Sequence, residues 1–440
     1  MIVLSGAELV LPDRILSPGT LVIDGDRIGD IRSGGDSAGA FHGHYIVPGL
    51  IDVHVHGVDG VDSLDSDIPA LPARPALPAS HDRDGGDGAI ASMAARLPRY
   101  GVTGFCPTTL ACRPDALGRV LDQIRRARQS PAPRSARVLP AHLESNFINP
   151  SYRGAQPAEC LRTPREALAE CERPGEAGTA GGAGGAGRAG EFAAADILRE
   201  IERGGPDVGV VTLAPELDGG LDLIAWLSQR GHCVSLGHSG ASYEQALDAI
   251  AAGARRATHL FNRMPPFHHR SPGLAGAILQ TAEVAAEVIC DGFHVHPAVV
   301  RTALAAKGPS RIMAITDGTA ASGLDVVSRP TLGARATLGG QPLSVGESAA
   351  FLADGTLAGS VMTMDRVLRT LVSQMDIPLV DAVTMCATTP ARELGLVGLG
   401  VLTSGAIADL AVLDAQLSVV QTYVGGRLAY SRNTGYTPAV

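Results

Sequence analysis

The sequence predicts an α/β chain: a (β/α)8 (TIM-like) barrel with a small β-sandwich domain formed by both termini. Three observations carry that expectation. From about residue 48 to 390, short apolar runs alternate with Ala/Leu-rich stretches, the pattern of parallel strands joined by helices. Both ends of the chain read instead as strands and tight turns. Histidines and acidic residues recur just after the apolar runs, where a barrel gathers its catalytic groups.

At the start, MIVLSGAELV reads as a strand, with no basic segment followed by a long apolar run to mark a signal peptide. Leu21-Val22-Ile23 and Arg27-Ile28 flank a turn at Asp24-Gly25-Asp26. At the other end, Asp409–Leu413 and Val419–Val424 read as strands, with Gly425-Gly426 as a hairpin turn. The expected division is a β-sandwich domain from 1–47 plus 396–440 and a barrel from 48–395. Within the barrel, Val138–Leu143, Val210–Leu213, Cys233–Leu236, Val284–Ile289 and Ile312–Ile315 read as strands. Residues 66–88, rich in Pro, Ala, Asp and Gly, and 173–190, a Gly/Ala tract, read as flexible insertions without chemistry.

Composition excludes several classes of function. A chain of 440 residues with 45% hydrophobic residues and 54 Gly fits a globular enzyme. The net charge of −9 and a pI near 5.8 argue against nucleic-acid binding, which favours a basic face. No apolar run approaches the roughly 18 residues of a membrane span. The seven Cys are scattered, without a CxxC pair, which fits a reducing cytoplasm and a metal site without thiolates. Lys307 is the only lysine and reads as a surface helix end. A carboxylated lysine bridging two ions is therefore not expected; any bridge must be a carboxylate.

The sharpest local signal is His54 and His56 after the apolar run Leu50-Ile51-Asp52-Val53. Residues two apart on a strand share a face, so both imidazoles can converge on one ion. Glu144, His238, His259 and Asp317 each follow a further strand-like run. Imidazole and carboxylate donors in an open site suit Zn²⁺ first, with Fe²⁺ or Mn²⁺ as alternatives. Asp317 is expected to take a proton from water and pass it to a leaving nitrogen. The simpler reading of Asp317 is a helix N-cap before Gly318-Thr319. His142, two before Glu144, reads as a supporting or structural residue, and His268-His269 as surface residues.

These residues sit in longer matching segments. PGLIDVHVHG (48–57), GVTGFCPT (101–108), VTLAPE (211–216), VSLGHSGASYEQA (234–246), ATHLFNRMPPFHHRSPGLAGA (257–277), DGFHVHP (291–297), ITDG (315–318), LAGSVMTMD (357–365), ATTPARELGL (387–396) and ADLAVLD (408–414) are all present. In them the chain resembles, nearly end to end, the N-acetylglucosamine-6-phosphate deacetylases of the amidohydrolase superfamily. The resemblance implies a usually homodimeric metal-dependent hydrolase of the acetamido group of N-acetyl-D-glucosamine 6-phosphate, and the cysteine usage a cytoplasmic one. It places metal ligands on Glu144, His238 and His259, with a second ion on His54 and His56 and Glu144 as bridge, so one or two ions per chain. It places the catalytic aspartate on Asp317, and the phosphate and sugar contacts on Asn262, Arg270 and His294, the arginine reaching across a dimer interface. No nucleic acid or membrane partner is implied.

The chain departs from the family pattern in the substrate half. The family's His-Leu-Glu-Gly-Pro is His142-Leu143-Glu144-Ser145-Asn146 here. A family histidine near the acetamido carbonyl is replaced by Gln156, which donates hydrogen bonds but carries no charge. Arg263 stands in the phosphate-binding stretch where a small residue is usual, and Ser271 replaces a glutamate. A different N-acylated amino sugar, phosphorylated or free, is therefore the alternative substrate.

Overall fold

The computed structural model describes residues 1–35, 40–65, 88–171, 192–324, 336–346 and 348–432. The expected insertion at 173–190 lies outside the described residues, as does that at 66–88 apart from Gly88. The chain forms two compact units: 1–107 with 126–139 and 287–440, and 108–125 with 140–286.

The first unit contains the sheet made by both termini. Its seven strands run in the order Arg427–Ser431, Val419–Val424, Leu410–Leu413, Tyr45–Pro48, Ile2–Val10, Ile15–Asp24 and Arg27–Ser33. The pairings are antiparallel except that of Ile2–Val10 with Tyr45–Pro48. Alternating side chains from these strands, among them Leu4, Leu9, Leu21, Ile23, Ile46, Leu410 and Val412, form one apolar cluster. The hairpin at Gly425-Gly426 follows from its residues: both adopt positive φ, 55° and 71°, which a two-residue type I′ turn requires. Asp409 braces the same corner. Its buried carboxylate accepts from Arg137 Nε at 2.7 Å and Nη2 at 3.0 Å, and from the Gly425 N–H at 2.6 Å.

The same unit holds Leu50–Val55, which pairs in parallel with Val102–Thr109 from Leu50↔Val102 to Val55↔Pro107. On its other side, the Asp317 N–H donates to His54 O at 3.0 Å, and the His56 and Gly57 N–H groups donate to Gly318 O. The end of Ile312–Ile315 is thus fastened beside the end of Leu50–Val55. All six residues of Leu50–Val55 are buried, as a strand covered on both faces requires.

The second unit is a run of parallel pairings in sequence order, through Ala141–Glu144, Val208–Leu213, Cys233–Leu236 and Arg256–Ala257. Helices Ala194–Gly204, Gly220–Gln229 and Tyr243–Ala252 lie between successive strands in the chain. This βα alternation is the one the sequence predicts. Tyr243–Ala252 starts where its residues dictate: Ser242 Oγ accepts from the Gln245 N–H while the Gln245 side chain accepts from the Ser242 N–H, a capping box. One strand differs from expectation. Val138–Leu143 is not continuous but splits into Arg137–Val138 and Ala141–Glu144, because Pro140 has no N–H to give a ladder. Among the described residues, no helix is long and apolar enough to cross a membrane.

Candidate metal and catalytic site

In the second unit, Glu144 ends Ala141–Glu144, His238 lies two residues beyond Cys233–Leu236, and His259 two beyond Arg256–Ala257. Their donor atoms form a small triangle. Glu144 Oε1 is 3.0 Å from His238 Nε2 and 3.0 Å from His259 Nε2, and the two ring nitrogens are 3.0 Å apart. All three residues are buried. His238 Nδ1 lies 2.9 Å from the Tyr152 carbonyl. A carbonyl only accepts, so Nδ1 carries a proton and Nε2 is the atom that faces the carboxylate and the second imidazole. Two imidazole nitrogens and a carboxylate oxygen converging in a buried space are donors that a divalent cation would organise. This donor set fits a metal ion.

In the first unit the second expected pair has the same form. His54 is the penultimate residue of Leu50–Val55 and His56 lies just past it. Their Nε2 atoms are 3.3 Å apart, and each is 3.3 Å from Asp317 Oδ1. The i, i+2 spacing therefore converges as read from the sequence. Asp317 caps no helix; it follows Ile312–Ile315 and is tied through its backbone to His54 and Ser360. Beneath it, Thr316 Oγ1 donates to Asp52 Oδ2 at 2.6 Å. Burial pushes the Asp52 carboxyl up to about 6, against the hydrogen bonds that draw it down.

The backbone is strained where these groups sit. His238, His259, Arg263 and Asp317 all have positive φ, at 47°, 30°, 53° and 47°. Such conformations cost roughly 1–3 kcal/mol each and gather at functional sites. Here they aim side chains that the strands alone would point elsewhere.

The expected substrate residues are distributed more widely. Gln156 joins the triangle: its Nε2 donates to Glu144 Oε2 at 2.5 Å and its Oε1 accepts from the Ala111 N–H at 2.7 Å. Asn262 is half-buried and its side chain donates to His259 O. Arg263 packs on Gly154: a Cβ there would meet Arg263 Nε at 2.6 Å, so only glycine accommodates the arginine. Arg270 lies exposed in the loop with His268 and His269, and among the described residues no acidic side chain pairs with its guanidinium. His294, in the first unit, is held by Asp291 Oδ2 at 2.6 Å through Nδ1, and its buried Nε2 has no partner among the described residues. Ser145 and Asn146 turn into the protein: Ser145 Oγ donates to Thr212 O, and Asn146 Nδ2 to the Cys112 and Cys160 carbonyls. His142 is bonded to Thr212 Oγ1 at 2.8 Å.

Two carboxylates went unassigned in the sequence. Glu216 Oε1 accepts from Asn149 Nδ2 and the Gly240 N–H, and its Oε2 from Ser239 Oγ, clamping the turn that carries His238. Glu287 Oε2 lies 2.9 Å from His54 Nδ1. A glutamate inside the otherwise apolar run Ala285–Ile289 is the signal that could have found the latter.

Buried imidazoles and carboxylates at the ends of parallel strands could hold a divalent ion, as in hydrolases of the barrel type, and comparison with known proteins places the chain among such hydrolases. Residues 45–429 match the model of the amidohydrolase family. The human N-acetylglucosamine-6-phosphate deacetylase is 34% identical over 443 residues, covering 97% of this chain and 94% of that protein. The enzyme of the same name from Lysinibacillus sphaericus is 31% identical, covering 89% of this chain and 87% of its own. The solved structure of a mutant N-acetyl-D-glucosamine-6-phosphate deacetylase from Mycobacterium smegmatis, in complex with N-acetyl-D-glucosamine-6-phosphate, superposes with a TM-score of 0.78 at 29% identity, over 98% of this chain and 99% of that one. The chain belongs to the amidohydrolase family, among the N-acetylglucosamine-6-phosphate deacetylases, and has their (β/α)8 fold.

Proposed function

We propose that the protein hydrolyses the acetamido group of N-acetyl-D-glucosamine 6-phosphate, giving D-glucosamine 6-phosphate and acetate. The observation that carries this reading is the buried triangle of Glu144, His238 and His259, in a chain whose curated relatives bear that activity in their names. Glu144, His238 and His259 would hold one divalent ion, Zn²⁺ before Fe²⁺ or Mn²⁺, and His54 and His56 would hold a second. A divalent ion in such donors supplies Lewis acidity, bringing the pKa of a coordinated water toward about 7 and polarising a carbonyl.

Asp317 takes a proton from the water that attacks the acetamido carbon and delivers it to the departing nitrogen. The water oxygen ends in acetate and the C–N bond breaks. Gln156 has two amide hydrogens; one serves Glu144, and the other donates to the acetamido oxygen as it gains negative charge. Arg270, Asn262 and His294 bind the phosphate and sugar. A guanidinium matches phosphate oxygens in shape and charge, and Arg263 adds a second cation nearby in sequence. The working form is a cytoplasmic homodimer, with 1–47 plus 396–440 as its β-sandwich domain and 48–395 as its catalytic barrel.

A second reading keeps the catalyst and changes the sugar. It is favoured by Arg263 lying against Gly154, in the loop that also carries Gln156. The deciding experiment is a panel of phosphorylated and free N-acylated hexosamines with wild type and Arg270→Ala. The main reading expects fast acetate release from the 6-phosphate alone and a kcat/KM loss of at least about 100-fold in the variant. Equal rates on free sugars, or an indifferent Arg270→Ala, would move the function to the second reading.

A further inference from the structure

The structure assigns Glu287 as the positioning residue that makes His54 a metal-binding imidazole; this deepens the proposed function and rests on it. Glu287 lies on Ala285–Ile289, all five of whose residues are buried. Its Oε2 is 2.9 Å from His54 Nδ1, and both side chains are fully buried. The consequence is a choice of tautomer. A carboxylate can only accept, so His54 carries a proton on Nδ1 and leaves Nε2 as the atom whose lone pair would meet an ion. That same Nε2 lies 3.3 Å from His56 Nε2 and 3.3 Å from Asp317 Oδ1. Without Glu287 this carboxylate no longer holds the proton on Nδ1, and the tautomer with its hydrogen on Nε2, where an ion belongs, becomes accessible.

Charge supports the same assignment. A carboxylate removed wholly from water is costly to keep ionised unless positive charge lies close by. A divalent ion on His54 Nε2 supplies it through the ring, and the carboxylate in turn makes the imidazole a more basic donor. His238 uses the neutral Tyr152 carbonyl for the same orienting task. The two imidazoles are thus oriented by acceptors of different charge. Charge removal at Glu287 should therefore weaken the ion at His54 and His56 and leave that at Glu144, His238 and His259 in place.

The test compares Zn²⁺ retained per chain, after loading and dialysis against graded chelator, in wild type, Glu287→Gln, His54→Ala and the double variant, with acetate release measured alongside. Glu287→Gln keeps the shape and an acceptor oxygen but not the charge. The expected result is a fall of about 10- to 100-fold in affinity for one of two ions, a lower kcat with little change in KM, and no further loss of Zn²⁺ when His54→Ala is added. If Glu287→Gln does not fold, Glu287→Asp carries the test, since it keeps the charge but withdraws it by one methylene and should also weaken the one ion. Wild-type retention in whichever variant folds, or losses that add in the double variant, would overturn the assignment. A wild-type protein that releases no acetate from the 6-phosphate would instead overturn the proposed function, whatever Glu287 does to Zn²⁺.

Discussion

Gln156 is bonded at both ends of its amide: Nε2 donates to Glu144 Oε2, while Oε1 accepts from the Ala111 N–H. Gln156 is therefore built into the support of the carboxylate proposed to hold the ion. Glu144 keeps Oε1 for His238 and His259 because Gln156 holds Oε2.

Gln156→Ala should consequently act in two ways. Loss of an oxyanion donor costs about 10²- to 10³-fold in kcat, and loss of a partner that orients a ligand costs about 10- to 100-fold in metal affinity. Steady-state kinetics and metal titration of the variant check both. Gln156→His should recover a large part of kcat, since an imidazole N–H also donates. Unchanged metal affinity in Gln156→Ala would show that Glu144 needs no such support.

Asp317→Asn should lower kcat by about 10³-fold or more, within or beyond the range for a lost general acid–base group, and leave the ion at Glu144, His238 and His259 in place. Metal analysis beside the acetate assay separates the two effects. Retained turnover would remove Asp317 from the proton path.

Arg137→Met should destabilise the terminal sheet. It strands the buried Asp409 carboxylate, which then keeps only its backbone partner at Gly425. Breaking one partner of such a pair costs about 3 kcal/mol. A lowered melting temperature with unchanged kcat in the surviving fold is the expected pattern.

Asp62 gives a pH signature. Burial pushes its carboxyl up to about 6, although its oxygens accept from the Leu64 and Gly339 N–H groups at 2.9 and 2.6 Å. A folded pKa above the unfolded value means the native state binds the proton more tightly. This stabilising contribution is complete below about pH 4 and is lost as pH rises through about 6, amounting to about 3 kcal/mol for a shift of this size. Asp62→Asn does not titrate. The stability difference, variant minus wild type, should therefore rise between pH 4.5 and 7.5. A difference flat with pH would contradict the raised carboxyl.

The sequence carried the barrel because its strands are apolar on both faces and its helices are regular; period and spacing alone separate them. It carried His54, His56, Glu144, His238, His259 and Asp317 because each stands immediately after such a run. Pro140 was readable as a break in Val138–Leu143 but was passed over, since the apolar run continues on both sides of it. Glu216 and Glu287 were not assigned because their partners, the turn at Ser239-Gly240 and the ring of His54, are 23 and 233 residues away in the chain. That Ser145 and Asn146 turn their side chains to the Thr212, Cys112 and Cys160 carbonyls is not legible in the sequence, because those partners are distant in the chain.

The central claim is that Glu144, His238 and His259 hold an ion on which deacetylation depends. The most direct measurement is metal content per chain together with acetate release from N-acetyl-D-glucosamine 6-phosphate, in wild type and His259→Ala, each before and after chelation and Zn²⁺ return. The expected result is a wild type that loses activity on chelation and regains it with Zn²⁺, and a variant that neither holds that ion nor turns over. A chelated wild type that still releases acetate, or a His259→Ala protein with full metal and full rate, would contradict it.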